Sequence, residues 1–82
     1  MLKVKPLRAD LKRYLKRRNL EKKFTRQLRR FEENIRHPSL HTEILQPKEL
    51  RIYSFRIDKK YRAIFIFDNE EVEIIDINPH YQ

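Results

Sequence analysis

From Arg51 to Ile77 the chain reads Arg-Ile-Tyr-Ser-Phe-Arg-Ile, Asp-Lys-Lys, Tyr-Arg-Ala-Ile-Phe-Ile-Phe, Asp-Asn-Glu-Glu, Val-Glu-Ile-Ile-Asp-Ile. Three runs rich in β-branched and aromatic residues, Arg51 to Ile57, Tyr61 to Phe67 and Val72 to Ile77, are separated by only three and four polar residues. Connections that short join antiparallel strands, because a parallel crossover needs a dozen residues or more. The chain has no glycine, so Asp58, Asp68 and Asn69 are the residues expected to take left-handed or turn geometry. Alternation then sorts the side chains. Tyr53, Phe55 and Ile57, with Tyr61, Ala63, Phe65 and Phe67, point to one side; Ile52, Ser54 and Arg56, with Arg62, Ile64 and Ile66, point to the other. The first set is nearly pure hydrocarbon and needs a cover.

That cover lies upstream. Leu20, Phe24, Leu28, Phe31 and Ile35 recur at spacings of four, four, three and four, the spacing of one helix face. Asn19 reads as the N-cap of this helix, and Pro38 predicts its end near Arg36, because the residue before a proline is pushed out of the helical region. An earlier helix is expected from about Ala9, with Leu11, Tyr14 and Leu15 on one face and Lys12, Arg13, Lys16 and Arg17 on the other. Before it, Leu2-Lys3-Val4-Lys5 alternates apolar and basic ahead of Pro6 and reads as a short strand. The prediction is an α+β fold of order β-α-α-β-β-β, a helical hairpin packed on one face of a mainly antiparallel sheet, with residues 1–82 forming one domain.

Composition removes whole classes of function. With no glycine among 82 residues there is no Gly-rich phosphate loop, dinucleotide fingerprint or nucleophile elbow, and no nucleotide cofactor is expected. With no cysteine there is neither a disulfide framework nor a thiolate metal site. No apolar run approaches the ~20 residues of a membrane span, and the N-terminus lacks a signal-peptide core, so a soluble cytoplasmic protein is expected. The net charge of +8 is unevenly placed: residues 1–40 hold 14 basic and 4 acidic side chains, residues 41–82 hold 6 and 8. A first half at +10 suits an anionic partner such as nucleic acid or an acidic protein, although basic helix faces are also common as solvated surface.

On the face opposite the hydrocarbon, Arg56 and Arg62 come from adjacent strands. Two guanidiniums there suit a phosphate, because arginine presents a rigid fork of donors. Cross-strand pairing with Glu73, or plain solvation, are the alternatives. His80-Tyr81 follows Pro79 directly after the last strand, where a histidine is commonly just solvated. His37 and His41 flank Pro38 without a third convergent ligand, so no metal site is expected. The acidic run at 68–71 reads as a solvated hairpin turn.

Taken together, the helical hairpin, the segment Asn34 to Leu45, the run Tyr53-Ser54-Phe55-Arg56-Ile57 with Tyr61-Arg62-Ala63-Ile64-Phe65, and the closing Ile75-Asp76-Ile77 and His80-Tyr81 resemble the RelE/ParE superfamily of type II toxins. The resemblance spans essentially the whole chain, and the tail is similar to the YoeB branch of mRNA interferases. It implies a RelE-like fold and a site built from Glu43, Arg56, Arg62, His80 and Tyr81. Gln46 stands where that branch usually has a phosphate-contacting lysine, with Lys48 and Arg51 nearby as substitutes. The implied activity is ribosome-dependent mRNA cleavage without metal or cofactor, with the ribose 2′-OH as nucleophile. Glu43 would be the base and His80 the acid, roles the two can exchange; Arg56 and Arg62 would stabilise the phosphorane-like transition state, and Tyr81 would orient the nucleotide or assist proton transfer. The implied partners are an acidic antitoxin, the ribosome and mRNA. A ParE-like gyrase inhibitor, or a degenerate toxin kept for antitoxin binding, is the alternative the superfamily also offers.

Overall fold

The computed structural model describes residues 2–79. Helices α1 (Ala9–Arg17) and α2 (Glu21–Glu33) pack on a sheet of four strands, β1 (Glu43–Ile44), β2 (Tyr53–Arg56), β3 (Tyr61–Asp68) and β4 (Glu71–Pro79). The sheet order follows the chain, β1-β2-β3-β4, and every neighbouring pair is antiparallel. The α+β class, the helical hairpin and the three long antiparallel runs are as expected. The edges differ in detail. The N-terminal segment forms a single parallel bridge, Val4 beside Val72, held by the Val72 N–H to the Lys3 carbonyl and the Lys5 N–H to the Val72 carbonyl. Pro6 has no N–H with which to continue that ladder, and the chain turns away into α1. At the opposite edge the unpredicted two-residue strand β1 places Glu43 opposite Ser54.

Asn19 closes the first helix instead of opening the second. Its φ is +55°, the Asn19 N–H reaches the Lys16 carbonyl (3.2 Å), and the Leu20 N–H reaches the Leu15 carbonyl (2.9 Å). These are the two bonds of a Schellman closure, whose left-handed position is normally glycine; asparagine is the next best tolerated residue. Leu15 and Leu20, the apolar pair that accompanies the motif, are both buried. Replacing Asn19 by alanine is expected to destabilise the fold by about 1 kcal/mol, a melting temperature lower by roughly 4–8 °C, while glycine leaves it unchanged or slightly higher. Thermal melts of the two variants check this; equal melts would mean that the left-handed strain is not felt.

Helix α2 ends at Glu33, three residues earlier than Pro38 suggests, because Asn34 is extended (φ −157°) and its side-chain oxygen accepts the Arg36 N–H at 3.0 Å. A local side-chain bond of this kind competes with continuation of the helix. The β3–β4 hairpin turns on Asn69 and Glu70, both at positive φ as a type I′ turn requires. Asp68 is the last strand residue before it and pairs with Lys5. Asp58 turns the β2–β3 connection by accepting the N–H groups of Lys60 and Tyr61, each at 2.8 Å. Burial would raise that carboxyl, but those two donors and Lys23 outweigh it and hold it below the ordinary aspartate range.

Beneath the helices the core is one cluster centred on Phe31, Phe55 and Phe65, each fully buried. Phe31 of α2 stacks on Phe55 (centroids 4.7 Å apart) and meets Phe65 edge-on (4.9 Å). Strand β4 can serve this core only with a bulge. Ile64 pairs with Asp76 and Phe65 with Ile74, leaving Ile75 as an extra residue. Val72 and Ile74 before the bulge, and Ile77 after it, are therefore all buried, although strict alternation would turn Ile77 outward. The same shift sends Asp76 and Asn78 to the open face.

Candidate active site on the open sheet face

Among the described residues the buried polar side chains are Gln27, Ser54 and Arg62, and two of the three belong to one site. Arg62 lies opposite Arg56 on β2 and opposite Asn78 on β4, so its side chain rises from the middle of the open face. It was expected there beside Arg56, and it is, but sunk to 4% exposure instead of standing free. Its Nε donates to the Ser54 hydroxyl (2.8 Å), and Nη2 donates to the His41 carbonyl (2.6 Å), with the Glu43 carboxylate at 3.3 Å. His41 is at φ +45°, a left-handed residue where the chain turns from the 3₁₀ turn Pro38–Leu40 into β1. The Thr42 hydroxyl ties that corner to the Ile35 carbonyl at 2.8 Å. Among the described residues no hydrogen bond occupies Nη1, and none of their buried side-chain nitrogens or oxygens lacks a partner. One edge of the guanidinium is thus fixed by the protein, and Nη1 with its two N–H donors is left to a ligand.

Burial lowers the Arg62 pKa from its ordinary value; the Glu43 carboxylate pulls it back up and the like charge of Arg56 lowers it again. An arginine keeps its proton through such a shift, so the site holds a desolvated cation whose field is stronger than in water. Arg56 is half-buried and makes no ion pair among the described residues. Glu43 is about half exposed (53% for its side chain) on the rim. The alternative pairing with Glu73 does not form: Glu73 sits opposite Ile66, towards the far end of the hairpin, with its carboxylate 3.7 Å from Lys5. Glu43, Ser54, Arg62, Asp76 and Asn78 line a groove of about 410 Å³ whose apolar floor includes Ile52, Ile64 and Ile75.

Lys48 and Arg51 are exposed around a 3₁₀ turn between β1 and β2, Arg51 at φ +52°, and neither lines this groove. His80 and Tyr81 lie outside the described residues; they follow Pro79, which ends β4 opposite Tyr61. The sequence reading missed Ser54 as the residue that aims Arg62, and Asp76 and Asn78 as groove lining. It also missed a polar network behind the site. Gln27 donates to the Ser39 carbonyl (3.1 Å) and the Arg56 carbonyl (2.8 Å), and its oxygen accepts from Arg30 (3.0 Å). A signal existed, because Gln27 lies between Phe24 and Phe31 on the stripe that faces the core. Elsewhere Lys12, Arg13, Lys16, Arg17, Lys22, Arg26 and Arg29 are exposed on the helices and make no ion pair among the described residues. No helix among the described residues is long and apolar enough to cross a membrane.

Comparison with known proteins adds to this geometry. Residues 10–80 match the family model of the RelE-like toxin of type II toxin-antitoxin system HigB. An uncharacterized protein of Haemophilus influenzae is 46% identical over 43 residues, covering 52% of this chain and 43% of that protein, so the match spans less than half of the relative's length. A YoeB/ParE toxin from Agrobacterium tumefaciens has the same fold, with a TM-score of 0.71 at 19% identity over 99% of this chain and 100% of that one. The YoeB dimer from Staphylococcus aureus superposes at 0.69 with 20% identity, over 98% and 95% of the two chains. The chain matched in the Staphylococcus aureus YoeB-YefM complex superposes at 0.67 with 20% identity, over 99% and 97%.

Proposed function

The chain belongs to the family of RelE-like toxins of the HigB type II toxin-antitoxin system, and on that premise we propose that it is a ribosome-dependent endoribonuclease that cuts mRNA by attack of the ribose 2′-OH. One observation carries the reading: a desolvated guanidinium, held by Ser54 and the His41 carbonyl, offers Nη1 to a groove whose rim bears the Glu43 carboxylate. In-line attack of a 2′-oxygen on the adjacent phosphorus needs a base for its proton, fixed cations for the charge gathering on the phosphoryl oxygens, and an acid for the departing 5′-oxygen. Glu43 takes the 2′-OH proton, Arg62 and Arg56 hold the phosphoryl oxygens, and His80 protonates the leaving group, with Tyr81 orienting the nucleotide. The products are a 2′,3′-cyclic phosphate and a 5′-hydroxyl, and neither metal nor cofactor enters the step. Lys48 and Arg51 add positive charge along the RNA path.

The exposed cations of α1 and α2 suit rRNA phosphates, and binding through them weakens steeply with salt. The same charge suits an acidic antitoxin. A chain of this fold has been solved in complex with YefM, which supports a protein partner here too.

Cell-free translation followed by mapping of mRNA ends tests the proposal. Cuts confined to translated mRNA, with 2′,3′-cyclic phosphate ends and no loss on adding chelator, are expected. Ends bearing a 5′-phosphate would mean water is the nucleophile. Intact mRNA with trapped gyrase–DNA cleavage complexes would replace the nuclease by a ParE-like binding toxin, and intact mRNA with antitoxin binding alone would leave a degenerate toxin.

A further inference from the structure

A second groove, of about 510 Å³, opens on the other side of Glu43. It lies on the helix-facing side of the sheet, past the end of α2, where the aromatic face of β2 and β3 runs out from under its cover. Tyr53 and Phe67 form its wall, and Arg36, His37 and His41 its rim; Glu43 lines both grooves and so stands on the ridge between them. Phe67 is 45% exposed, one of only two large apolar side chains so exposed among the described residues. Its ring stands edge-on to Tyr53 at 5.5 Å, and Tyr53 stacks on the buried Phe65 at 5.5 Å, which holds the wall rigid.

His37 is braced from behind. Its Nδ1 meets the Ser39 N–H at 3.2 Å and the Ser39 hydroxyl at 2.9 Å, and that hydroxyl also contacts the Gln27 oxygen (3.3 Å) and Arg30 Nη1 (3.2 Å). A backbone N–H can only donate, so Nδ1 can only accept, and the tautomer this contact selects carries its hydrogen on Nε2. His37 lines the groove, and with Nδ1 engaged its Nε2–H is the donor that remains for a ligand. A histidine held by a network that includes the buried Gln27 is fixed as a donor.

We infer that this groove is a nucleobase subsite: it takes the base of a nucleotide adjoining the scissile phosphate, packed into the corner that the Phe67 and Tyr53 rings make with one another and read by the N–H of His37 with Arg36 beside it. The inference rests on the endoribonuclease reading, since Glu43 is what joins the two grooves. The volume lies in the range of small-ligand sites, and exposed aromatic surface with donors at the rim matches a planar ring whose edge accepts hydrogen bonds. Every base carries at least one ring nitrogen or carbonyl oxygen that accepts such a hydrogen bond, so the groove takes a base without this donor set choosing among them. A protein segment is the competing occupant, but the groove adjoins the Arg62 groove through Glu43, which favours a nucleotide that spans both.

The test is an NMR titration of the full chain with 2′-O-methyl dinucleotides, which bind but cannot be cut. Saturable shifts of the Phe67 ring and His37 imidazole signals are expected. Removing the base with an abasic dinucleotide, or the ring with Phe67→Ala, should each weaken binding at least about 5-fold, the lower end for loss of one stacking partner. Shifts confined to the Arg62 face, or equal affinity for the abasic ligand, overturn the inference. Groove shifts produced by an acidic peptide and not by the dinucleotides overturn it in favour of a protein-docking surface. Cleavage of the matching RNA on ribosomes is scored separately: no cutting together with base-dependent groove binding removes the nuclease reading and leaves the subsite, whereas cutting without groove shifts does the reverse.

Discussion

Replacing Arg62 by lysine is expected to lower single-turnover mRNA cleavage by about 100-fold or more, because removing one preorganised donor to a developing phosphoryl charge costs that much in comparable sites. Lysine keeps the charge but loses the geometry. It has no planar fork with which to bond Ser54 and the His41 carbonyl on one edge and still present donors on the other. Arg62→Ala should be worse in a second way. It leaves the fully buried Ser54 hydroxyl without its donor, so stability falls along with rate, by about 1–3 kcal/mol for a buried group left unpaired. Glu43→Gln separates the two effects. Glu43 is half exposed, so losing its ion pair should change stability by less than about 1 kcal/mol, while loss of a general base should lower the rate by about 10²- to 10⁴-fold. Rates within a few-fold of the parent in Arg62→Lys and Glu43→Gln, with folding checked by thermal melts, would remove the site as drawn.

How far the site could be read beforehand depended on which residues carry a period. Strand alternation put Arg56 and Arg62 on one face, and the register pairs them as neighbours. The helix stripe from Leu20 to Phe31 was equally plain. What alternation does not carry is depth: nothing in Tyr-Arg-Ala says that the guanidinium sinks until it is buried, because that follows from Ser54 on the neighbouring strand and from a left-handed His41 one corner away. Nor does period two survive the Ile74-Ile75 pair, where the bulge decides that Ile77 faces the core and that Asp76 and Asn78 face Arg62. Asn19 was misread for a related reason. Asparagine is favoured both as an N-cap and at the left-handed end of a helix, and with only a short link between α1 and α2 the choice rests on backbone bonds to Leu15 and Lys16 that leave no mark on composition.

The largest loss of stability is expected from Phe31→Ala, about 3–5 kcal/mol, since it empties the centre of the core. Phe31 has no exposed surface and, among the described residues, is the one ring whose centroid lies under 5 Å from both Phe55 on β2 and Phe65 on β3. A chain of 82 residues has a total stability of about 4–12 kcal/mol at the usual 0.05–0.15 per residue, so this single change removes a large share of it. Urea titration reads it as a midpoint shift at constant slope; a shift worth under about 1 kcal/mol would mean that the sheet and helices are held mainly elsewhere. The consequence for function follows from the pleat. Phe55 and Ser54 are successive residues of one strand, one facing Phe31 and the other holding Arg62, so the core face and the site face cannot loosen independently. Cleavage by Phe31→Ala should therefore fall in step with its folded fraction, and Phe31→Leu, which refills most of the volume, should recover both together.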